Sequence, residues 1–172
     1  ETSANVYLME INGTINPATD DFLKSSLAKA KEQQAKLLII KLNTPGGLLT
    51  SMQTMVGSLL ESPIPTVVYV SPSGGGATSA GVFITMAANF AVMAPGTTIG
   101  AAHPVTGGGQ DVEGDMREKI ENFTVSHIKA IAEQRGRNVE WAEKAVRESV
   151  SITDREAVSL KVVDFIATDI ED

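Results

Sequence analysis

The chain has 172 residues, 42% of them hydrophobic, with a formal net charge of -7 and no cysteine. That length supports one domain with a sizeable core, and acidity without a basic stripe argues against a nucleic-acid partner. Without cysteine there are no disulfides, no thiolate catalysis and no cysteine-based zinc site.

The pattern reads as a single α/β domain over residues 1–172. The chain opens at Glu1 and closes on Glu171-Asp172, which reads as a domain excised from a longer protein. Its most apolar stretch, Ala80 to Pro95, contains Thr85 and Asn89 and is shorter than a bilayer span. With no signal peptide in view, any membrane attachment is expected to lie in segments outside this sequence.

Val6 to Ile11 reads as a strand, and Asn12-Gly13 as a turn that opens a small hairpin or bend at Thr14-Ile15. Pro17 starts a helix in which Phe22, Leu23, Leu27 and Ala30 repeat at helical spacing. Lys36 to Leu42 is a nearly continuous apolar run of strand length, the signature of a parallel sheet covered on both faces. Asn43-Thr44-Pro45-Gly46-Gly47 ends it, and Leu48 to Leu60 follows as a helix expected to bury Leu48, Met52, Met55, Val56 and Leu59. Thr66 to Val70 is the next strand, and Ser71 to Gly76 leads into an apolar helix ending near Ala88. Phe90 to Met93 and Ile99 to Ala102 are short extended segments.

Three strands thus stop at proline-and-glycine turns containing Pro45, Pro72 and Pro95. Parallel connections of that size should gather the turns at the carboxyl edge of one sheet, where open α/β sheets place their ligands. Pro104 to Asp115 reads as a mobile Gly-rich loop. Met116 to about Gln134 is a long helix closed by Gly136, and Val139 to Glu148 a further helix with Trp141 and Ala145 turned inward. Thr153 with Glu156 has capping-box spacing, and Val162 to Ile166 is the closing strand.

The stretch Ser71 to Ala88 carries the chemistry. Gly74, Gly75 and Gly76 allow positive φ angles, and the helix that follows offers free N–H groups to a developing anion just where Ser79 sits. Ser79 reads as a nucleophile, although Ala77 departs from the G-x-S-x-G elbow and a plain helix cap at Thr78 or Ser79 is the competing reading. Serine needs a base to take its proton, and two residues qualify: His103 and Lys119. At about 100° per residue Met116, Ile120, Phe123, His127 and Ile131 form an apolar stripe with Lys119 at its edge. A lysine in such a place is desolvated, which favours the neutral amine, and a solvated snorkelling lysine is the alternative. Gly46 and Gly47 can offer backbone N–H donors to an oxyanion, or simply form a turn, and the N–H beside Ser79 can contribute too.

The segments INGTINPAT, LLIIKLNTPGGLL, SPIPTVVYVSPSGGGATSAGVFI, MAPGTTIGAAHPV and REKIENF carry a resemblance, covering nearly the whole chain, to the N-terminal protease domain of NfeD-type membrane-bound serine proteases. These are the stomatin-operon partner proteins within the ClpP/crotonase-like superfamily. The resemblance implies a ClpP/crotonase-like fold of repeated β-β-α and βα units, with a largely parallel sheet flanked by helices. It also implies a Ser-Lys dyad and cleavage of apolar segments, including the C-terminal region of a partner stomatin. Carried over, the nucleophile matches Ser79 in TSAG, the base Lys119 in REKIENF, and the oxyanion turn Gly46-Gly47 in NTPGG. His103, in AAHP, lies near the place where ClpP-type proteases hold their catalytic histidine.

The leading expectation is therefore a serine endopeptidase without metal or cofactor, acting on apolar peptides. The full-length protein is expected to be membrane-anchored with this domain on the extracytoplasmic side, and a homodimer or higher homo-oligomer. A catalytically idle apolar-peptide-binding module and a Ser-His protease using His103 are the alternatives. An acyl-CoA enzyme of crotonase type is disfavoured, because no glutamate lies near the Gly-rich turns.

Overall fold

The computed structural model describes residues 5–105 and 114–172. In chain order its elements are β1 (Val6–Asn12), α1 (Pro17–Glu32), β2 (Leu37–Asn43), α2 (Leu49–Leu60), β3 (Thr66–Val70), β4 (Gly76–Thr78) and α3 (Ala80–Ala87). There follow β5 (Phe90–Met93), β6 (Thr98–Gly100), α4 (Asp115–Arg135), α5 (Val139–Arg147), β7 (Ser151–Thr153), α6 (Asp154–Ser159) and β8 (Phe165–Ile166). The expected loop from Pro104 to Asp115 lies mostly outside the described residues.

Five strands pair in the order β1-β2-β3-β5-β8, all parallel. Alternation along each strand sorts the two faces. Met9, Ile40, Val68 and Ala91 stand in register and are buried in the main core, whereas the adjoining register Leu8, Ile39, Val67 and Phe90 turns to the other face, with Leu8 and Phe90 exposed. Helix α1 begins where Asn16 and Thr19 exchange capping bonds ahead of Pro17, and it buries Leu23, Leu27 and Ala30. Phe22, expected on that buried face, is exposed, as is Leu48, which stands outside α2 as its N-terminal cap residue.

A second sheet, β4-β6-β7, is built from segments too short to show an alternating pattern. It joins the first where Thr44 bridges Ala77, with Thr44 N–H donating to Gly76 O at 2.9 Å and Thr78 N–H to Thr44 O at 3.1 Å. The three Pro-Gly turns do meet: Gly74 N–H donates to Gly96 O, and Gly76 N–H to the Asn43 side chain. The turn at Asn12-Gly13 makes no hairpin. Instead the chain crosses the end of β2, and Ile15 bridges Gly47 in parallel.

Helix α3 is buried along its whole length and held at its far end by two arginines. Its last carbonyls have no helical partners. Arg137 Nε donates to Met86 O at 3.1 Å and Nη2 to Ala88 O at 2.9 Å, while Nη1 pairs with Asp164 at 3.0 Å. Arg135 Nε donates to Ala87 O at 2.8 Å. Replacing Arg137 by Ala strands buried carbonyls and leaves Asp164 unpaired, so Arg137→Ala should lower the unfolding free energy by about 2–3 kcal/mol in urea titrations. A loss below about 0.5 kcal/mol, the range of ordinary surface substitutions, would contradict this clamp.

Candidate active site

Ser79 joins β4 to α3 with φ 56° and ψ -117°, a conformation rare for a residue bearing a Cβ. Strain of that kind persists only where surroundings impose it. Here Ser79 N–H donates to Gly100 O and Ser79 O accepts from Val82 N–H, both at 3.0 Å. The serine side chain makes no capping bond, so the helix-cap reading of Ser79 fails and its hydroxyl remains unspent. The positive φ that the sequence assigned to the three glycines is found at Ser79 itself and at Gly74.

The neighbouring turn approaches so closely that only glycine fits. A Cβ on Gly46, whose φ is +124°, would stand 2.8 Å from Ser79 Cβ and 3.2 Å from its Oγ. A Cβ on Gly47 would run into the backbone of Ile15. The two glycines have different uses. Gly46 N–H donates to Thr44 Oγ1 at 3.1 Å, and Gly46 O accepts from Ile15 N–H at 2.8 Å. Gly47 N–H donates to no described residue, and neither does Ala80 N–H at the start of α3. The free donors beside Ser79 are therefore Gly47 and Ala80, the second at the positive end of the α3 dipole.

Ser79, Gly47 and Ala80 all line one cavity of about 310 Å³. Its apolar wall includes Leu49, Met52, Phe83, Val105 and Ile120, and its polar groups are His103, Arg117, Glu121 and Thr124. His103 Nδ1 lies 2.9 Å from Val146 O. A carbonyl only accepts, so Nδ1 carries the hydrogen and Nε2 is the acceptor in the neutral ring. Glu121 is held by Arg147 at 3.0 Å.

Lys119 is the fifth residue of α4, exposed, and is not part of the cavity wall. The expected desolvation is absent because α4 buries Thr124, Val125, Ile128, Ile131 and Ala132, a face turned away from Lys119. Met116 and Phe123, placed in the apolar stripe by spacing alone, are exposed. Arg117 and Glu121 were missed by sequence reasoning, whereas the free Ala80 N–H is the donor expected beside Ser79. The i, i+4 spacing of Arg117 and Glu121, in step with Ile120 and Thr124, is the signal that places them on one face.

His127 backs the cavity. Its ring lies 5.7 Å from Phe83 and 6.1 Å from Phe123, and its buried Nδ1 has no partner among the described residues. Burial holds its pKa below the ordinary value of about 6.5. As pH falls through about 6.5 the unfolded chain binds the proton first, so this contribution to stability is complete above that pH and is lost below it. Urea midpoints at pH 7.5 and pH 5.5 should therefore fall further in the native chain than in His127→Phe. Equal falls would contradict a half-buried ring held neutral.

The model of the NfeD1b N-terminal domain matches residues 5–171. The chain is 36% identical over 170 residues to "Membrane-bound protease PH1510" of Pyrococcus horikoshii, covering 97% of this chain and 38% of that protein. It thus spans well under half the length of this curated relative. Among solved structures, the serine-to-alanine mutant of the 1510-N membrane-bound stomatin-specific protease superposes with a TM-score of 0.92 at 34% identity, covering 99% of this chain and 83% of that one. A lysine-to-alanine mutant of 1510-N in complex with a substrate peptide also gives 0.92 at 34% identity, with 99% and 78% covered. ClpP1 from Listeria monocytogenes gives 0.76 at 21% identity over 95% and 92% of the two chains, a likeness of fold.

Proposed function

The chain belongs to the NfeD1b N-terminal domain family, and on that footing we propose that it is a serine endopeptidase cleaving apolar peptide segments, with Ser79 as nucleophile and Lys119 as base. The observation that carries this reading is the strained serine with an unspent hydroxyl, facing an apolar cavity beside two free N–H donors. The relative's mutated serine and lysine support the pair, being separated by one residue more than Ser79 and Lys119.

In this reading neutral Lys119 takes the hydroxyl proton as Ser79 Oγ bonds to the peptide carbonyl carbon. Gly47 and Ala80 donate to the oxyanion, acting where charge develops. The Lys119 ammonium then gives its proton to the leaving nitrogen as the C–N bond breaks, leaving an ester on Ser79. Water then gives a proton to Lys119 as its oxygen bonds to the ester carbon, and the ammonium returns that proton to Ser79 Oγ as the ester C–O bond breaks, which frees the acid. The exposed place of Lys119 requires the start of α4 to close on a bound peptide, as catalytic contacts that are long in the free enzyme commonly do. The substrate proposed is the C-terminal region of a partner stomatin, supported by the name of 1510-N. Among the described residues no helix is long and apolar enough to cross a membrane, so anchoring in the full-length protein would fall to other segments.

One observation favours a second reading. His103 lines the cavity that holds Ser79, and its Nδ1 contact with Val146 O selects the tautomer with an acceptor Nε2 that a general base needs. Cleavage of apolar peptides, read by mass spectrometry, separates the two. Ser79→Ala should abolish it, Lys119→Ala should lower kcat by about 10²–10⁴, and His103→Ala should leave it within a few-fold. Lys119→Arg should fail with Lys119→Ala, because a guanidinium does not give up its proton. Full activity in Lys119→Ala with inactivity in His103→Ala would establish the Ser-His reading instead.

A further inference from the structure

The charges around the cavity are unevenly matched. Glu121 and Arg117 stand one helical turn apart on the same wall, the spacing at which opposite charges on a helix normally meet. They do not pair. Glu121 is held instead by Arg147 of α5 at 3.0 Å, and the same guanidinium holds Glu143 at 2.9 Å, with Lys129 closing the network at 3.5 Å. Two carboxylates and two cations thus neutralise one another between α4 and α5. Asp115 and Glu118, the acids nearest Arg117 in sequence, are exposed and are not part of the cavity wall. Among the described residues Arg117 has no carboxylate partner, and it brings a positive charge to the wall of an apolar cavity in a chain whose net charge is -7.

We propose that Arg117 is a specificity residue that selects peptides carrying an acidic side chain close to the apolar residue that fills the cavity. The proposal rests on the reading of this cavity as the peptide site and adds to it a substrate class: apolar segments flanked by Asp or Glu. Guanidinium suits the task, since its planar donors meet a carboxylate with two parallel bonds. The Arg147 network contributes by holding Glu121 in an ion pair, for a freed Glu121 would compete with the peptide for Arg117. The exposed position of Arg117 keeps the effect modest and salt-sensitive.

The test separates binding from chemistry. A set of apolar peptides carrying one Glu, Gln or Lys at successive positions is titrated against the Ser79→Ala chain, and the same peptides are given to the native chain for cleavage. At one or two positions Glu should bind about three- to ten-fold more tightly than Gln at low salt, and the ratio should shrink in 0.5 M salt. Adding Arg117→Gln should bring the ratio to one, Arg117→Glu should turn the preference to Lys, and Arg147→Ala should reduce the ratio with Arg117 intact. Equal binding of Glu and Gln peptides at every position would overturn the proposal. So would a Glu preference that survives Arg117→Gln and disappears in Lys119→Gln, which would give the role to the neighbouring lysine. If the charge preference holds in Ser79→Ala while the native chain cleaves no peptide, the protease reading fails and the specificity reading stands.

Discussion

The backbone of Ser79 is the constraint from which the rest of the site follows. A positive φ at a residue with a Cβ is held only by its surroundings, and here the hold is a bond from Ser79 N–H to Gly100 O on one side and from Val82 N–H on the other. Glycine is required on both sides of this turn. Gly100 lies so near β7 that a Cβ would enter Val150 O, and a Cβ on Gly81 would stand 2.6 Å from the Thr44 side chain. Gly46 passes within contact of Ser79 itself. The second sheet exists largely to fix this turn, since β4 leads into Ser79 and β6 ends on Gly100, whose carbonyl receives its N–H.

The cavity wall depends in turn on α5. Ala101 N–H donates to Val150 O, Ala102 N–H to Ala145 O, and His103 Nδ1 to Val146 O, so the segment that carries His103 hangs from the last turn of α5 and the residues just beyond it. Arg147 in the same turn holds Glu121 of α4. One helix end therefore sets both the tautomer of His103 and the charge balance facing Arg117. The opposite wall, Leu49 and Met52, comes from α2, which starts where Gly47 lies against Ile15.

Much of this was legible from residues whose signals are local. The apolar runs Lys36 to Leu42 and Thr66 to Val70, the Thr153 and Glu156 box, and the glycine turns each state their own structure, and the parallel order of the sheet follows from the helix between successive strands. The resemblance carried by TSAG and NTPGG led to the family. What was not legible depends on tertiary placement. Strands of three residues in β4, β6 and β7 are too short for a pattern, and Leu48 and Phe22 follow the helical period yet face solvent. Periodicity on α4 placed the stripe through Met116 and Phe123, while packing against α3 and α5 chose Thr124, Val125 and Ile128, which turned Lys119 outward. The division of labour between Gly46 and Gly47 rests on the Thr44 hydroxyl, which no spacing rule anticipates.

The most direct measurement is of the covalent state of Ser79 during turnover. The native chain is mixed with an activated ester of an apolar peptide, quenched in acid within seconds, digested and mapped by mass spectrometry. The account predicts one acyl group, on Ser79, present in the native chain and accumulating more slowly in Lys119→Ala. An acyl group on another residue, or steady peptide cleavage by Ser79→Ala, would contradict it.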